Sequence, residues 1–214
     1  MRIGIEINGV LRNTIEKITQ VYQKNNIDGH QSEFTSQTYK LDMSGNTEEE
    51  ILPEPFKYEM SLPVTSLTLT DHFKFQNEEE YYSFLYEEHP MEIFGHSPST
   101  EMTTFIDINS IYFNLRNLHD FIIVSDEMGK SKPASLFFLS KFGCEFEKVK
   151  FYSNTTINSM WDEIDVLLTA NPNLLLNHPS DKKVIKFETV YNDDIDVELN
   201  IKNIKDLNEI IKQL

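Results

Sequence analysis

The sequence predicts an α/β fold, a three-layer, Rossmann-like and mostly parallel sheet, with a small α+β insertion between the first strand–helix unit and the rest. Three observations carry this. Short, near-continuous apolar runs alternate with segments of helical periodicity, the pattern of a sheet covered on both faces. The chain opens as strand, glycine turn and helix, the start of an α/β domain. From about residue 31 to residue 97 the rhythm breaks, and it then resumes. The 214 residues suit one domain, with 1–30 and 98–214 as the α/β core and 31–97 as an inserted, cap-like segment.

Ile3-Gly4-Ile5-Glu6-Ile7 reads as a buried strand, and Asn8-Gly9 as a tight turn. Leu11, Ile15, Ile18 and Tyr22 recur at helical spacing, and that helix is expected to end near Asn25-Asn26. In the insertion, Leu67, Leu69, Phe73 and Phe75 alternate like a strand. Asn77 then offers an N-cap, and Glu78, Glu79 and Glu80 fill a first helical turn, where acids favour the macrodipole. Further on, a helix is expected from Thr100 to Leu118, with Met102, Phe105, Ile108, Ile111, Tyr112 and Leu115 inward. A strand follows at Phe121–Val124, then a helix from Pro133 to Phe142 stopped by Gly143. Val149–Tyr152 is a strand, Trp161 sits in a short helix, and Asp165–Thr169 and Lys183–Glu188 are two more strands. The last helix carries Ile204, Leu207, Ile210 and Ile211.

Composition narrows the function. With 39% hydrophobic residues, 15 Phe and 9 Tyr, the chain can build a real core. Its formal charge of −16 repels polyanions, and no Lys/Arg cluster suited to displacing counterions occurs, so nucleic acid is not an expected partner. One cysteine, Cys144, supports neither a disulfide framework nor a cysteine metal site. It sits just past a helix end, and a nucleophilic role is not expected of it. No run approaches the ~20 apolar residues of a membrane span, and the N-terminus lacks the apolar stretch of a signal peptide. A cytoplasmic or virion-associated location is expected. The histidines show no metal spacing, and the Glu48–Glu50 and Glu78–Glu80 runs lack the alternation of a calcium loop. Tyr81, Tyr82, Phe84 and Tyr86 exceed what one buried helix stripe needs. They either pack on the core or face a partner.

In parallel sheets of this kind ligands bind beyond the carboxyl ends of the strands, so the residues there matter most. They are Glu6-Ile7-Asn8-Gly9-Val10 after the first strand, and Ser125-Asp126-Glu127 followed by Gly129-Lys130-Ser131-Lys132-Pro133 after the second. Thr169-Ala170-Asn171-Pro172 follows the fourth. In order, spacing and strand context these segments resemble the motifs of the haloacid dehalogenase-like (HAD-like) phosphatases. That family carries Asp-x-Asp-Gly-Val or Asp-x-Asp-Gly-Thr, then a Ser or Thr, then a Lys at a helix start, then an acidic residue on the fourth strand. The resemblance covers the first strand and helix and about 120–177. The intervening segment sits where the family inserts a cap. The general look of the chain, rich in Ile, Asn, Phe and Lys, is also similar to small HAD-like proteins of large tailed phages.

The resemblance implies a nucleophilic Asp where this chain has Glu6. The extra methylene displaces the carboxylate by roughly one bond length, and a misplacement of about 1 Å can cost about a hundredfold in rate. It implies an acid/base Asp where this chain has Asn8, whose amide does neither job. It implies a carboxylate for Mg²⁺ where this chain has Ala170. Ser125 and Lys132 match the family's phosphate-binding pair. On their own terms, Ser125 either bonds a phosphate oxygen or caps a turn, and Lys132 either holds an anion or pairs with Glu6. Asp126 is a weak metal candidate, and Asp165 starts its strand at the opposite edge. The expectation is a catalytically inactive domain without cofactor, used for protein contact, self-association or structure, with a phage virion as one setting. The alternative is a Mg²⁺-dependent phosphohydrolase of altered mechanism, with Glu6 as nucleophile or water-positioning group and Asp126 or Glu127 helping to hold the metal.

Overall fold

Apolar runs become strands here because each is covered on both sides. The computed structural model describes residues 1–25, 73 and 75–214. Among these, β1 (Arg2–Glu6), β2 (Asp120–Asp126), β3 (Val149–Tyr152), β4 (Val166–Thr169), β5 (Lys183–Phe187) and β6 (Asn200–Ile201) form one sheet in the order β3-β2-β1-β4-β5-β6. Every pairing is parallel, with Ile5 opposite both Ile123 and Leu168. The chain adds strands outward from β1 on one side, then crosses to β4 and builds the other. That reversal places the switch point between β1 and β4.

Side chains alternate across a strand, and two separate clusters follow. Ile3, Ile5, Ile123, Leu168 and Ile185 lie on one face. They pack under α3 (Thr104–Leu115), α4 (Ser131–Lys141) and α7 (Leu207–Gln213) through residues such as Ile108, Phe138 and Leu207. Ile122, Val124, Leu167 and Val184 face the other way, against α5 (Ile157–Trp161) and α6 (Pro172–Leu176) through Met160, Trp161, Leu174 and Leu175. Helix–sheet–helix is the three-layer arrangement expected.

A third cluster binds the segment before α3 to the core. Ile18 and Val21 of α1 (Thr14–Gln23) meet Phe73, Phe84, Leu85, Ile93 and Phe94, with Ala134 of α4 beside them. Asn77 caps α2 (Glu78–Ser83) as expected, its side-chain oxygen accepting from the Glu80 amide at 2.8 Å. Two π-helical turns follow, at Phe84–Glu88 and Met91–Gly95.

The structure corrects three expectations. Met102 is not inward but 100% exposed. The helix expected from Thr100 starts at Thr104, because the Thr104 hydroxyl accepts from the Glu101 amide at 2.9 Å and the Thr100 hydroxyl donates to the Val10 carbonyl at 2.6 Å. Such local bonds compete with a first helical turn. Phe73 and Phe75 are not a strand. The Phe75 amide bonds back to the Phe73 carbonyl, and both rings pack on Tyr22. Leu67 and Leu69 lie outside the described residues. Strand β6 and helix α6 were not expected.

Candidate functional site

The carboxyl ends of β1 and β2 and the loops after β3 and β4 open into a cavity of about 270 Å³, roofed by α2 and the first π-helical turn. Glu6, Asn8, Asp126 and Asn171 contribute from the sheet side, and Tyr81, Tyr82 and Tyr86 from the roof. Of the aromatic excess seen in the sequence, the three tyrosines thus line this cavity, while Phe84 is buried in the third cluster with Tyr81 and Tyr86 packed against it. Asn154, Asn173 and Tyr191 line it too. Sequence reasoning missed these three, since no motif marks them. Only their position just after strands could have pointed there.

Glu6 ends β1 and is 1% exposed. The Tyr152 hydroxyl donates to its Oε1 at 2.9 Å, and the Thr169 hydroxyl donates to its Oε2. Burial pushes its pKa up to about 7, against the lowering effect of those two hydrogen bonds. Its partners are thus two hydroxyls. The expected pairing with Lys132 is not formed, because Lys132 sits exposed at the start of α4 and does not line the cavity.

Asn8 follows in the turn that Gly9 makes possible at φ +78°. A Cβ on Gly9 would lie 2.2 Å from the Tyr191 hydroxyl and 2.8 Å from the Ala170 Cβ, so β1, β4 and the Tyr191 loop converge there. Ala170 is fully buried and supplies no oxygen from its side chain. The Asn8 side-chain oxygen accepts from Arg12 at 2.6 Å and from the Thr14 hydroxyl at 2.8 Å, and its amide donates to Ser125 Oγ at 3.3 Å.

Arg12 is the residue the sequence concealed. It looks like a surface arginine ahead of a helix, yet it is fully buried. Its guanidinium pairs with Glu127 at 2.6 Å and donates to the Phe94 carbonyl at 2.8 Å and to Ser135 Oγ at 2.6 Å. It also lies over the Phe94 and Phe138 rings, at 5.0 and 5.2 Å. One cation thus joins the β1 turn, β2, α4 and the segment before α3. Glu127 Oε1 also accepts from Ser125 at 3.1 Å and from Ser135 at 2.6 Å. Ser125 is therefore spent inside this network, and Glu127 does not face the cavity.

Asp126, the other carboxylate of the cavity, has no hydrogen bond or ion pair to its side chain among the described residues. Burial and then the neighbouring Glu127 push its pKa up to about 6. Asp165 lies at the opposite end of β4, as expected, and accepts from the Arg2 amide at 2.8 Å. For Mg²⁺, a hard cation usually held by one or two carboxylates and waters, the cavity offers few carboxylate oxygens. Both Glu6 oxygens already accept from hydroxyls, Ala170 offers none, and Asp126 stands alone.

No family model matches the chain, and no curated protein matches its sequence. Solved structures do match. One, described as a haloacid dehalogenase-like hydrolase from Burkholderia xenovorans LB400, superposes with a TM-score of 0.56 over 99% of this chain and 96% of its own, at 8% identity. A second, described as a haloacid dehalogenase-like family hydrolase from Xanthomonas campestris, gives a TM-score of 0.48 over 100% and 95%, at 9% identity. The chain has the fold of a HAD-like hydrolase. No described helix is long and apolar enough to cross a membrane.

Proposed function

We propose that this chain is a degenerate HAD-like domain that has kept the fold without its phosphatase chemistry and serves as a protein-interaction or structural component. The observation that carries this reading is Glu6. It stands at the end of β1, where the resemblance implies the nucleophile, yet it is 1% exposed and both oxygens accept hydrogen bonds, from Tyr152 and Thr169. A nucleophile needs an oxygen open to the substrate and aimed at phosphorus. Asn8 supports the reading, since its amide orients Arg12 and carries no proton to give or take. A transferred phosphoryl group also needs positive charge around it, and the cavity lining contains no Lys, Arg or His among the described residues. The division into a core of 1–30 and 98–214 with a cap at 31–97 belongs to the same proposal. So does a place in a phage virion, which rests on the likeness in composition.

One observation favours a second reading. Glu6 and Asp126 line the same cavity, and both have pKa values raised toward neutrality. Groups so poised suit acid–base work, and they are the pair an altered phosphohydrolase would use. The test is release of phosphate from p-nitrophenyl phosphate with Mg²⁺, for the wild type and Glu6→Gln. The proposal expects no turnover above buffer from either. Wild-type turnover lost in Glu6→Gln would establish the second reading instead.

A further inference from the structure

We propose that the cavity at the carboxyl edge of the sheet receives an organic cation, an alkylammonium or guanidinium group, where the resemblance to HAD-like phosphatases implies a phosphate. This rests on the loss of phosphate chemistry proposed above and adds what the cavity now suits.

Asp126 is a partly buried carboxylate that lines the cavity without a partner among the described residues. A carboxylate partly withdrawn from water either takes up a proton or gains from a counter-charge. Among the described residues the cavity lining supplies no counter-charge, since it holds no Lys, Arg or His, Lys132 is exposed away from it, and three other cations of the surrounding segments are paired. Arg12 pairs with Glu127 at 2.6 Å, Lys130 with Glu87 at 2.8 Å and Lys24 with Glu92 at 3.2 Å. A cation from solution would supply the counter-charge that the described lining lacks, and a formal charge of −16 draws cations toward the molecule.

The walls select the kind of cation. Tyr81, Tyr82 and Tyr86 line the same cavity. Tyr86 stacks on Tyr82 at 6.0 Å and on Phe94 at 5.5 Å, so the exposed Tyr82, 5.7 Å from Tyr81, is the ring a cation would meet. Aromatic faces attract ammonium and guanidinium groups, most strongly where water is excluded. A divalent ion would find in Asp126 a single carboxylate free of hydrogen bonds among the described residues. Asn154 and Asn173 add amides able to bond an N–H donor or a neighbouring hydroxyl. The volume of about 270 Å³ is below the roughly 300–1,000 Å³ of drug-sized sites. It suits one charged head group, free or carried on a side chain of a basic partner.

The test is isothermal titration of the full chain, at matched ionic strength, with tetramethylammonium, methylguanidinium, inorganic phosphate and glucose. Asp126→Asn and Tyr82→Leu are titrated in parallel. Both replace accessible side chains, and circular dichroism checks that the variants remain folded. The expected result is saturable binding of at least one cation and of neither phosphate nor glucose. Asp126→Asn should weaken that binding by about tenfold or more, the size of a charge-assisted hydrogen bond, and Tyr82→Leu by a smaller factor. A pentapeptide of glycine with one central arginine distinguishes the sources. Tighter binding than methylguanidinium assigns the site to a protein side chain, and weaker binding to a free small molecule. Absence of cation binding, preference for phosphate or glucose, or an Asp126→Asn variant that binds as well as wild type would each overturn the proposal. Phosphatase turnover is read separately, so either failure can be told from the other.

Discussion

Replacing Arg12 with Met keeps much of the length and apolar stem of the side chain while removing its charge and all its donors. In the native protein those donors reach Glu127, Asn8, Ser135 and the Phe94 carbonyl. What remains is Glu127 with 0% side-chain exposure, held only by Ser125 and Ser135. Breaking a buried ion pair from one side costs about 3–5 kcal/mol, since the surviving charge is left without compensation. For a domain of this size each kcal/mol moves Tm by about 2–4 °C, so Arg12→Met should lower it by about 6–20 °C. Removing both charges is a different perturbation. Arg12→Met with Glu127→Leu should recover much of the loss, because apolar replacements of a buried pair are often neutral or better. Urea unfolding at neutral pH, followed by circular dichroism, measures both variants. A single variant within about 1 kcal/mol of wild type would refute the view that this pair anchors the segment before α3 to the core.

Glu6 makes stability depend on pH. Its pKa rises from 4.5 in the unfolded chain to about 7 in the folded one, so the folded protein holds the proton more tightly. The penalty is absent below about 4.5 and complete above about 7, and stability falls across that window by about 3 kcal/mol as pH rises. Unfolding free energies measured at several pH values should show this slope in wild type, and Glu6→Gln should lose the part above about 6 while keeping the part that Asp126, raised to about 6, contributes below it. Gly9→Ala should cost about 2–4 kcal/mol, from the positive φ and from the Tyr191 and Ala170 contacts its methyl would meet, and thermal melting would read it. Asn77→Ala should cost about 1 kcal/mol by removing the cap on the Glu80 amide, measured the same way.

The core was legible because its signals are local. Val149–Tyr152 forms the strand its sequence predicts, and Asn77 caps the helix that Glu78–Glu80 begin. Strand β6 was not legible, since it spans only Asn200 and Ile201 and depends on pairing with Lys186 and Phe187. Helix α6 carried a signal that went unread, Asn171 as cap and Pro172 at its first position. At the site, motif order located Glu6, Asn8 and Asp126 around one cavity, but it placed Lys132 there too, and Lys132 is exposed. The burial of Arg12 was hidden because its partners lie 82 to 123 residues away in Phe94, Glu127 and Ser135. Nothing in a linear pattern reports a pairing of that range.

The most direct test of the central claim is a carbon NMR titration of the Glu6 carboxyl, assigned with Glu6→Gln, in the absence and presence of Mg²⁺ and phosphate. A sealed structural carboxyl should titrate near 7 and keep its shift and midpoint when either is added. A saturable displacement of the Glu6 resonance by Mg²⁺, with the midpoint moving down, would contradict the account and restore this residue to a working metal-dependent site.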